Sequence, residues 1–497
     1  MLRKINKILL PVLSGILLSI PFCNPDLWFI SWWGMLPLFV SLEGRKPLKS
    51  FFYGWLCGVA FWGVTIYWLV HVTLAGQIAL ITYLALYFGI FSCALSYFRA
   101  LPPGRFLFFV PGLWVLLEYA RSHLLTGFPW ALAGLSQYKN IPVIQISDIT
   151  GSWGVSFILL LSNAACYLVL RKRLGMKNAV LCACVLFLTL GYGVFNIFSR
   201  SGEPARSERS LDISVIQGNI AQEMKWEKKA ASAILGTYAG LTAKAAGEGG
   251  GELIVWPEAS MPFVFAQPGT DYQFARVFDL ASDTGRYILI GAVSFQGGRY
   301  FNSAILVDKS GEVSGLYNKI HLVPFGEYIP LKDTFPFLRS FAPIGDIEPG
   351  REYTVFDRPA PFSVLVCFED LFPELSREFV KRGAGFLVNI TNDAWYKESS
   401  APYQHLAASV FRAVENRIYV VRSANTGVSG FIDALGRVSP LSGGDKGKEI
   451  FARGCMSRRI DLKKGGITLY SRYGDFFVLF CLFSVALSVL PCVRKCR

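Results

Sequence analysis

Charge is scarce in this chain: Asp, Glu, Lys and Arg make up 17% of its 497 residues, against 53% hydrophobic and 15% aromatic residues. With a mean hydropathy of +0.40, that balance excludes an ordinary soluble protein, in which about a quarter of residues are charged. Histidine is scarcer still. The four present, His71, His123, His321 and His405, are scattered, and no Cys-x-x-Cys occurs, so no metal site is expected. The sequence also lacks a phosphate-binding loop, a dinucleotide-binding glycine fingerprint and a Gly-x-Ser-x-Gly turn. No cofactor is therefore expected. Internal repeats are absent, and the linker-like stretches are few: Ser199 to Ser210 and the Gly-rich pieces at 247–251 and 443–447.

What the chain has in abundance is long apolar runs. Eight candidate spans fall near 8–22, 27–42, 51–71, 77–98, 106–120, 153–170, 179–198 and 475–493, against a need of roughly 17–25 residues per membrane helix. The first follows a basic start, Met1-Leu2-Arg3-Lys4-Ile5-Asn6-Lys7, as a signal peptide would. No small-x-small cleavage site follows, and further spans come at once, so it reads as retained.

The net charge of +14 is unevenly placed. Residues 199–473 hold 32 Lys+Arg against 30 Asp+Glu, so that block carries +2 and the remaining +12 belongs to the apolar part. A nucleic-acid-binding reading of the basic balance fails on that count. In the apolar part the basic residues fall on alternate loops: Arg3, Lys4 and Lys7; Arg45, Lys46 and Lys49; Arg99 and Arg105; Arg171, Lys172, Arg173 and Lys177; Arg494, Lys495 and Arg497. The intervening loops carry only Arg121 and Lys139. Such asymmetry predicts both termini in the cytoplasm. The expected organisation is a seven-span membrane domain over 1–198, an extracytoplasmic domain over 199–473, and a last span with a basic tail over 474–497.

The central block alternates strand and helix patterns. Apolar, β-branched runs at Leu211–Gln217, Leu253–Trp256, Tyr287–Val293, Ser303–Val307, Ser363–Cys367, Phe386–Ile390 and Tyr419–Arg422 predict strands; helical periodicity appears at 227–247, 272–284, 371–382 and 402–416. That is an α/β domain large enough to bury a full core. Three predicted strands end on a reactive residue: Ile254-Val255-Trp256-Pro257-Glu258 on a carboxylate, Leu316-Tyr317-Asn318-Lys319 on an amine, and Val364-Leu365-Val366-Cys367 on a thiol. If the strands are neighbours in one sheet, their ends converge.

Together the three support acyl transfer. The thiolate attacks a carbonyl, the carboxylate takes and returns protons, and the cation stabilises the oxyanion. Each has a bland alternative, since strand-end charges are usually solvated and cysteines usually inert packing. Of the ten cysteines besides Cys367, all but Cys455 lie in or beside apolar segments. A Cys367–Cys455 disulfide would remove the nucleophile.

The residues also resemble a known family. Trp256-Pro257-Glu258-Ala259-Ser260, Tyr317-Asn318-Lys319-Ile320-His321-Leu322-Val323-Pro324-Phe325-Gly326-Glu327 and Cys367-Phe368-Glu369 resemble the Glu, Lys and Cys motifs of the nitrilase (carbon-nitrogen hydrolase) superfamily. With the N-terminal spans and one C-terminal span they are similar to its membrane-embedded branch, the apolipoprotein N-acyltransferases. Gln217-Gly218-Asn219-Ile220, Lys225-Trp226, Asn389-Ile390-Thr391-Asn392-Asp393-Ala394-Trp395-Tyr396 and, among the spans, Trp114, Glu118, Arg121 and Gly127-Phe128-Pro129-Trp130 fit the same pattern.

The resemblance implies an α-β-β-α sandwich outside a bacterial inner membrane, facing the periplasm. It implies a ping-pong acyltransferase in which Cys367, activated by Glu258 with Lys319 as oxyanion partner, takes a fatty acyl chain from a phospholipid, typically phosphatidylethanolamine. The acyl chain then passes to the α-amino group of an apolipoprotein's diacylglyceryl-cysteine. Glu327 and Glu369 would support the triad. Phe368 stands where the family often has tyrosine, so a role needing a hydroxyl is unsupported. Trp226, Phe325, Tyr328, Phe368, Trp395 and Trp130 are candidates for lipid contact, with Phe325 and Tyr328 in an apolar loop that could act as a lid; interfacial anchoring would equally explain Trp130. His321 lies close enough to Lys319 in sequence to contribute, though a loop histidine is commoner. Rival readings are a membrane-tethered amidase using the same triad with water, and a transporter or scaffold. The transporter predicts charges along the spans, and only Glu118, Arg121 and Asp475 approach that description.

Overall fold

The computed structural model describes residues 8–201, 210–225, 227, 229–269, 271–330, 347–442, 447–462 and 466–494. The chain divides into two compact units, one of Met1–Glu203, Ser399–Ala407 and Thr468–Arg497, the other of Pro204–Glu398 and Ala408–Ile467.

The first unit is helical. It holds α1 (Leu9–Cys23), α2 (Leu36–Leu42), α3 (Pro47–Thr65), α4 (Leu74–Tyr97), α5 (Pro103–His123), α6 (Ile141–Ile144), α7 (Ser147–Thr150), α8 (Ser152–Leu170) and α9 (Met176–Ser201), with further helices over Leu469–Tyr473 and Phe476–Arg494. Pro47 and Pro103 open α3 and α5 at first-turn positions, where a missing N–H leaves nothing unpaired. Thr73 caps α4 by accepting from the Gly76 amide at 3.2 Å. Helices approach through glycine: a Cβ on Gly15 of α1 would lie 2.3 Å from the Cys57 carbonyl oxygen of α3, and one on Gly54 of α3 2.2 Å from that of Phe88 in α4.

Three helices, Leu74–Tyr97, Ser152–Leu170 and Met176–Arg200, are long and apolar enough to cross a membrane; Leu9–Cys23 and Phe476–Leu490 are apolar but shorter. The expected span at 27–42 is corrected: a 3-10 turn over Pro25–Trp32 and the seven-residue α2 replace one helix, with a non-helical Trp33 (φ −142°) between them. Asn163 of α8 stabilises the break. Its amide donates to the Ser31 carbonyl at 2.8 Å and its carbonyl accepts from the Met35 amide at 2.8 Å, so backbone groups freed by the break stay paired in an apolar setting.

The second unit contains two sheets. Strands β1 (Ser210–Gln217), β2 (Leu253–Val255), β3 (Val264–Phe265), β4 (Tyr287–Gln296), β5 (Arg299–Val307) and β6 (Val313–Asn318) join β12 (Gly454–Asp461) in the order β12-β1-β2-β4-β5-β6, with β3 beside β4. The other sheet runs β11 (Val438–Pro440), β10 (Gly430–Ile432), β9 (Tyr419–Ala424), β8 (Phe386–Thr391), β7 (Phe362–Val366). Helices α10 (Ala231–Gly247) and α11 (Ala275–Thr284) pack on the first sheet, where Ile234, Leu235, Tyr238 and Val277 join Ile216, Ile254, Ile288 and Ile305 in one buried cluster. Helix α12 (Pro373–Lys381) lies with the second sheet and buries Leu375 and Phe379, and of α13 (Ala401–Asn416) the part from Ala408 onward belongs to this unit. Between the sheets, the Ser423 hydroxyl of β9 donates to the carbonyls of Ile216 at 2.9 Å and Val255 at 3.1 Å. The parallel strands β2, β7 and β8 are buried on both faces, hence their unbroken apolar runs.

Each predicted strand has a counterpart within a few residues. One expectation is corrected: the three reactive strand ends do not share a sheet. β2 and β6 lie in the first sheet with β4 and β5 between them, and β7 forms an edge of the second. Their convergence comes from stacking of the sheets.

Candidate active site

Glu258 lies three residues beyond β2, in a turn whose next residue, Ala259, has φ +46°. Lys319 directly follows β6 and is 1% exposed. Its ammonium contacts Glu327 Oε2 at 2.8 Å and Glu258 Oε1 at 3.8 Å. Burial alone would lower the amine's pKa, but Glu327 and Glu258 raise it above the usual lysine range. Lys319 is thus a fixed cation at neutral pH.

Cys367 corrects the expected strand end. β7 stops at Val366, and Cys367 occupies the left-handed region at φ +53°, a conformation that costs a non-glycine residue about 1–3 kcal/mol. The sharp turn presents the thiol next to charged groups. It is buried, hydrogen-bonds the Thr391 side chain, and senses the charges of Glu258, Lys319 and Asp393. Burial first, and Glu258 second, push its pKa well above the usual thiol value; Lys319 opposes them. The resting group is therefore the thiol, and a base must take its proton during attack. Cys455 lies on β12 of the other sheet, and neither cysteine is in a disulfide.

The two supporting carboxylates divide their work. Glu327 accepts from Lys319, from the Val323 amide at 2.8 Å and from Asn302 Nδ2 at 2.7 Å. Glu369 accepts from the amides of Val366, Ile320 and His321 at 2.7, 2.7 and 3.0 Å and from the Tyr317 hydroxyl at 2.8 Å. It thereby ties the turn after β6 to the end of β7. Burial pushes Glu369 up to about 7, although those donors and Lys319 hold it down.

Sequence reasoning missed Asn302. This β5 side chain bridges both acids, donating to Glu258 Oε1 at 2.8 Å and Glu327 Oε1 at 2.7 Å. Its signal was the polar pair Asn302-Ser303 interrupting a strand whose later residues, Ala304–Val307, are fully apolar and buried. Tyr396, quoted only within a motif, feels the charges of Cys367, Asp393, Glu258 and Glu327, and burial raises its pKa well above the usual phenol value. Lys225 is also buried, donating to the Glu258 carbonyl at 3.2 Å.

The proposed lipid-contacting side chains fare unequally. Phe325 (49% exposed, φ +59°) and Trp395 (52% exposed) present apolar surface. Tyr328 is half-buried, its carbonyl accepting from the Phe325 amide at 2.7 Å. Phe368 is buried against Phe372, and His321 stacks on Phe372 with ring centroids 3.6 Å apart. Trp226 lies outside the described residues. Trp130, in the helical unit, is 2% exposed and so offers almost no surface for lipid contact. Its indole donates to Gln404 Oε1 at 2.7 Å, and its carbonyl accepts from Arg121 at 2.8 Å.

Among the described residues no group of histidine, cysteine and carboxylate side chains could hold a metal ion. The arrangement offers a thiol, a carboxylate able to move protons and a fixed cation, which suffices chemically for acyl transfer through a thioester.

Comparison with known proteins agrees. A family model described as apolipoprotein N-acyltransferase N-terminal domain matches residues 14–165, and one described as carbon-nitrogen hydrolase matches 212–454. A protein of Geobacter metallireducens named apolipoprotein N-acyltransferase is 36% identical over 98% of this chain and 95% of its own length. The chain belongs to the apolipoprotein N-acyltransferase family. A relative of the same name from Caulobacter vibrioides is 30% identical, covering 93% of this chain and 90% of its own. These relatives are named acyltransferases, so the amidase alternative does not fit them. Among solved structures, the Saccharomyces cerevisiae protein Nit3, of the nitrilase superfamily, is 18% identical over 52% of this chain and 92% of its own, with a TM-score of 0.39.

Proposed function

We propose that this chain transfers a fatty acyl group from a membrane phospholipid, phosphatidylethanolamine being the favoured donor, to the N-terminal amine of a diacylated lipoprotein. The observation that carries the reading is the buried Glu258–Lys319–Glu327–Asn302 network around the strained Cys367 turn.

In the first step Sγ of Cys367 attacks the ester carbonyl while Glu258 takes the thiol proton, and Lys319 stabilises the oxyanion. The ester C–O bond breaks, Glu258 protonates the departing glycerol oxygen, and a lysophospholipid leaves. In the second, the α-amino group of the S-diacylglyceryl cysteine attacks the thioester. Glu258 takes its proton and returns it to the departing thiolate. A thioester carries enough free energy to acylate an amine without ATP, provided water is kept away. The exposed apolar surfaces of Phe325 and Trp395 suit contact with lipid, as does Tyr328, in the same loop as Phe325; Trp226 is a further candidate. The loop carrying Phe325 and Tyr328 is the proposed lid.

The same reading divides the chain at 1–198, 199–473 and 474–497, places the catalytic domain on the periplasmic side of a bacterial inner membrane, and puts both termini in the cytoplasm. It takes eight membrane segments, the second of them a broken one. The alternation of basic loops supports it.

Incubating the full chain with phosphatidylethanolamine alone tests the mechanism. The peptide containing Cys367 should gain the mass of one acyl chain, and lysophospholipid should appear. An intact chain that gains no such mass would sink it.

A further inference from the structure

Lys319 is not the only buried amine at this site. Lys225 follows a 3-10 turn over Gln222–Met224 and is 3% exposed. That turn is anchored where Gln222 Oε1 accepts from Asn392 Nδ2 at 2.7 Å. An ammonium has three donors, and among the described residues the structure gives this one a single acceptor, the Glu258 carbonyl at 3.2 Å. Ordinarily a buried ammonium with two unused donors is expensive. Its charge is felt by Glu258 and Cys367, with Lys319 and Glu327 behind Glu258 and the neutral Asn302 bridging the two acids.

Counting charges shows what it does. Asp393, which Cys367 also feels, is paired with Arg422 at 3.3 Å; Glu258 and Glu327 against Lys319 alone leave −1, which opposes a thiolate in a dry site. With Lys225 the sum is zero, and it remains zero when the proton moves from Sγ to the Glu258 carboxylate.

We propose that Lys225 is a positioning residue of the acyl-transfer site: it fixes the Glu258 turn through the carbonyl contact and, with Lys319 already balancing Glu327, supplies the second positive charge that offsets the thiolate as it forms. The inference rests on the acyl-enzyme reading above. A geometric consequence is that Glu258 is held from both sides, its side chain by Asn302 and Lys319 and its main chain by Lys225. Burial pulls the Lys225 amine down to about 8, so its charge is present at neutral pH and lost in mildly alkaline solution.

The test uses the full chain in detergent micelles with phosphatidylethanolamine and no acceptor, following acyl mass gain on the Cys367 peptide between pH 6 and 9. Wild type should show a falling limb with an apparent pKa of about 8. Lys225→Arg keeps a cation that does not titrate in this range, so it should form the adduct and lose that limb. Lys225→Met should react at least about tenfold more slowly at pH 7, equivalent to a coupling of one pKa unit, with no limb. Persistence of the limb in Lys225→Arg overturns the inference, as does a Lys225→Met rate within about twofold of wild type. Should Lys225→Met fail to fold, the Lys225→Arg profile decides. A folded wild-type chain that forms no adduct at any pH overturns the acyl-enzyme reading instead.

Discussion

Lys319 and Arg422 are both buried cations that each face two carboxylates, and the contrast between them separates structure from chemistry. Arg422 of β9 donates to Asp370 at 3.0 Å, Asp393 at 3.3 Å, Asn389 at 2.7 Å, Ser409 at 2.9 Å and the Val428 carbonyl at 3.1 Å. All three guanidinium nitrogens find acceptors, and the guanidinium stays charged at any working pH. Asp370 lies in the turn that begins at Cys367, and Asn389 donates to the Cys367 carbonyl at 3.3 Å. The arginine hub thus holds the shape of the nucleophile's turn. Lys319, by contrast, places a compact charge beside a proton-carrying acid and a thiol, where new charge forms during reaction. A cation enclosed by fixed acceptors stiffens a fold; one bordered by a titratable thiol can do work.

The sharpest test removes the thiol. Cys367→Ala should abolish acyl mass gain and lysophospholipid release while the thermal midpoint in detergent stays near wild type, since the Arg422 hub is untouched. Residual labelling of the variant by a radioactive acyl donor would break the comparison. Next in size, Glu258→Gln should lower the rate of adduct formation by about 10²–10⁴-fold, the usual reach of a general base; single-turnover kinetics measure it, and a loss under about tenfold would mean another group takes the proton.

Arg422→Met should act on stability instead, costing about 3–5 kcal/mol because Asp370 and Asp393 lose the buried cation that pairs with them. Lys319→Met should abolish activity yet lose less stability than Arg422→Met, because Glu327 keeps its Asn302 and Val323 donors and Glu258 its Asn302 donor. Denaturation midpoints and yields of the two variants compare them directly, and the reverse order would refute the division of roles.

The smallest effect concerns Glu369. Its folded pKa of about 7 exceeds the unfolded value of about 4.3, so between those values the folded state binds more protons and stability falls as pH rises. Glu369→Gln should flatten that part of the pH profile while losing about 1–3 kcal/mol from imperfectly matched donors. Thermal midpoints at pH 5 and 8 reveal both; an unchanged slope would show that Glu369 does not titrate there.

Much of this was legible in the chain. Period-2 and period-3.6 patterns located the strands around the reactive residues, because burial of one face is a local demand. Glu258, Lys319 and Cys367 stood out because each interrupts an apolar run at its end. β12 was not read: Gly454–Asp461 carries Arg458 and Arg459 and pairs only with β1 at the sheet's edge, so it needs no apolar alternation. The break in the span at 27–42 was equally hidden, since the Asn163 that stabilises it is distant in sequence.

Composition and order determined by themselves that the chain is apolar with one nearly neutral block, that this block is α/β, and that an acid, an amine and a thiol close three of its strands. Those are properties of short windows, and short windows are what hydrophobic periodicity and turn chemistry report. Only the tertiary structure decided that the three ends meet across two stacked sheets, that Asn302 bridges the two acids while Lys225 holds the Glu258 carbonyl, and that Trp130 is buried. Each depends on contacts between segments far apart in the chain, fixed by how whole sheets and helices pack rather than by any neighbour in sequence.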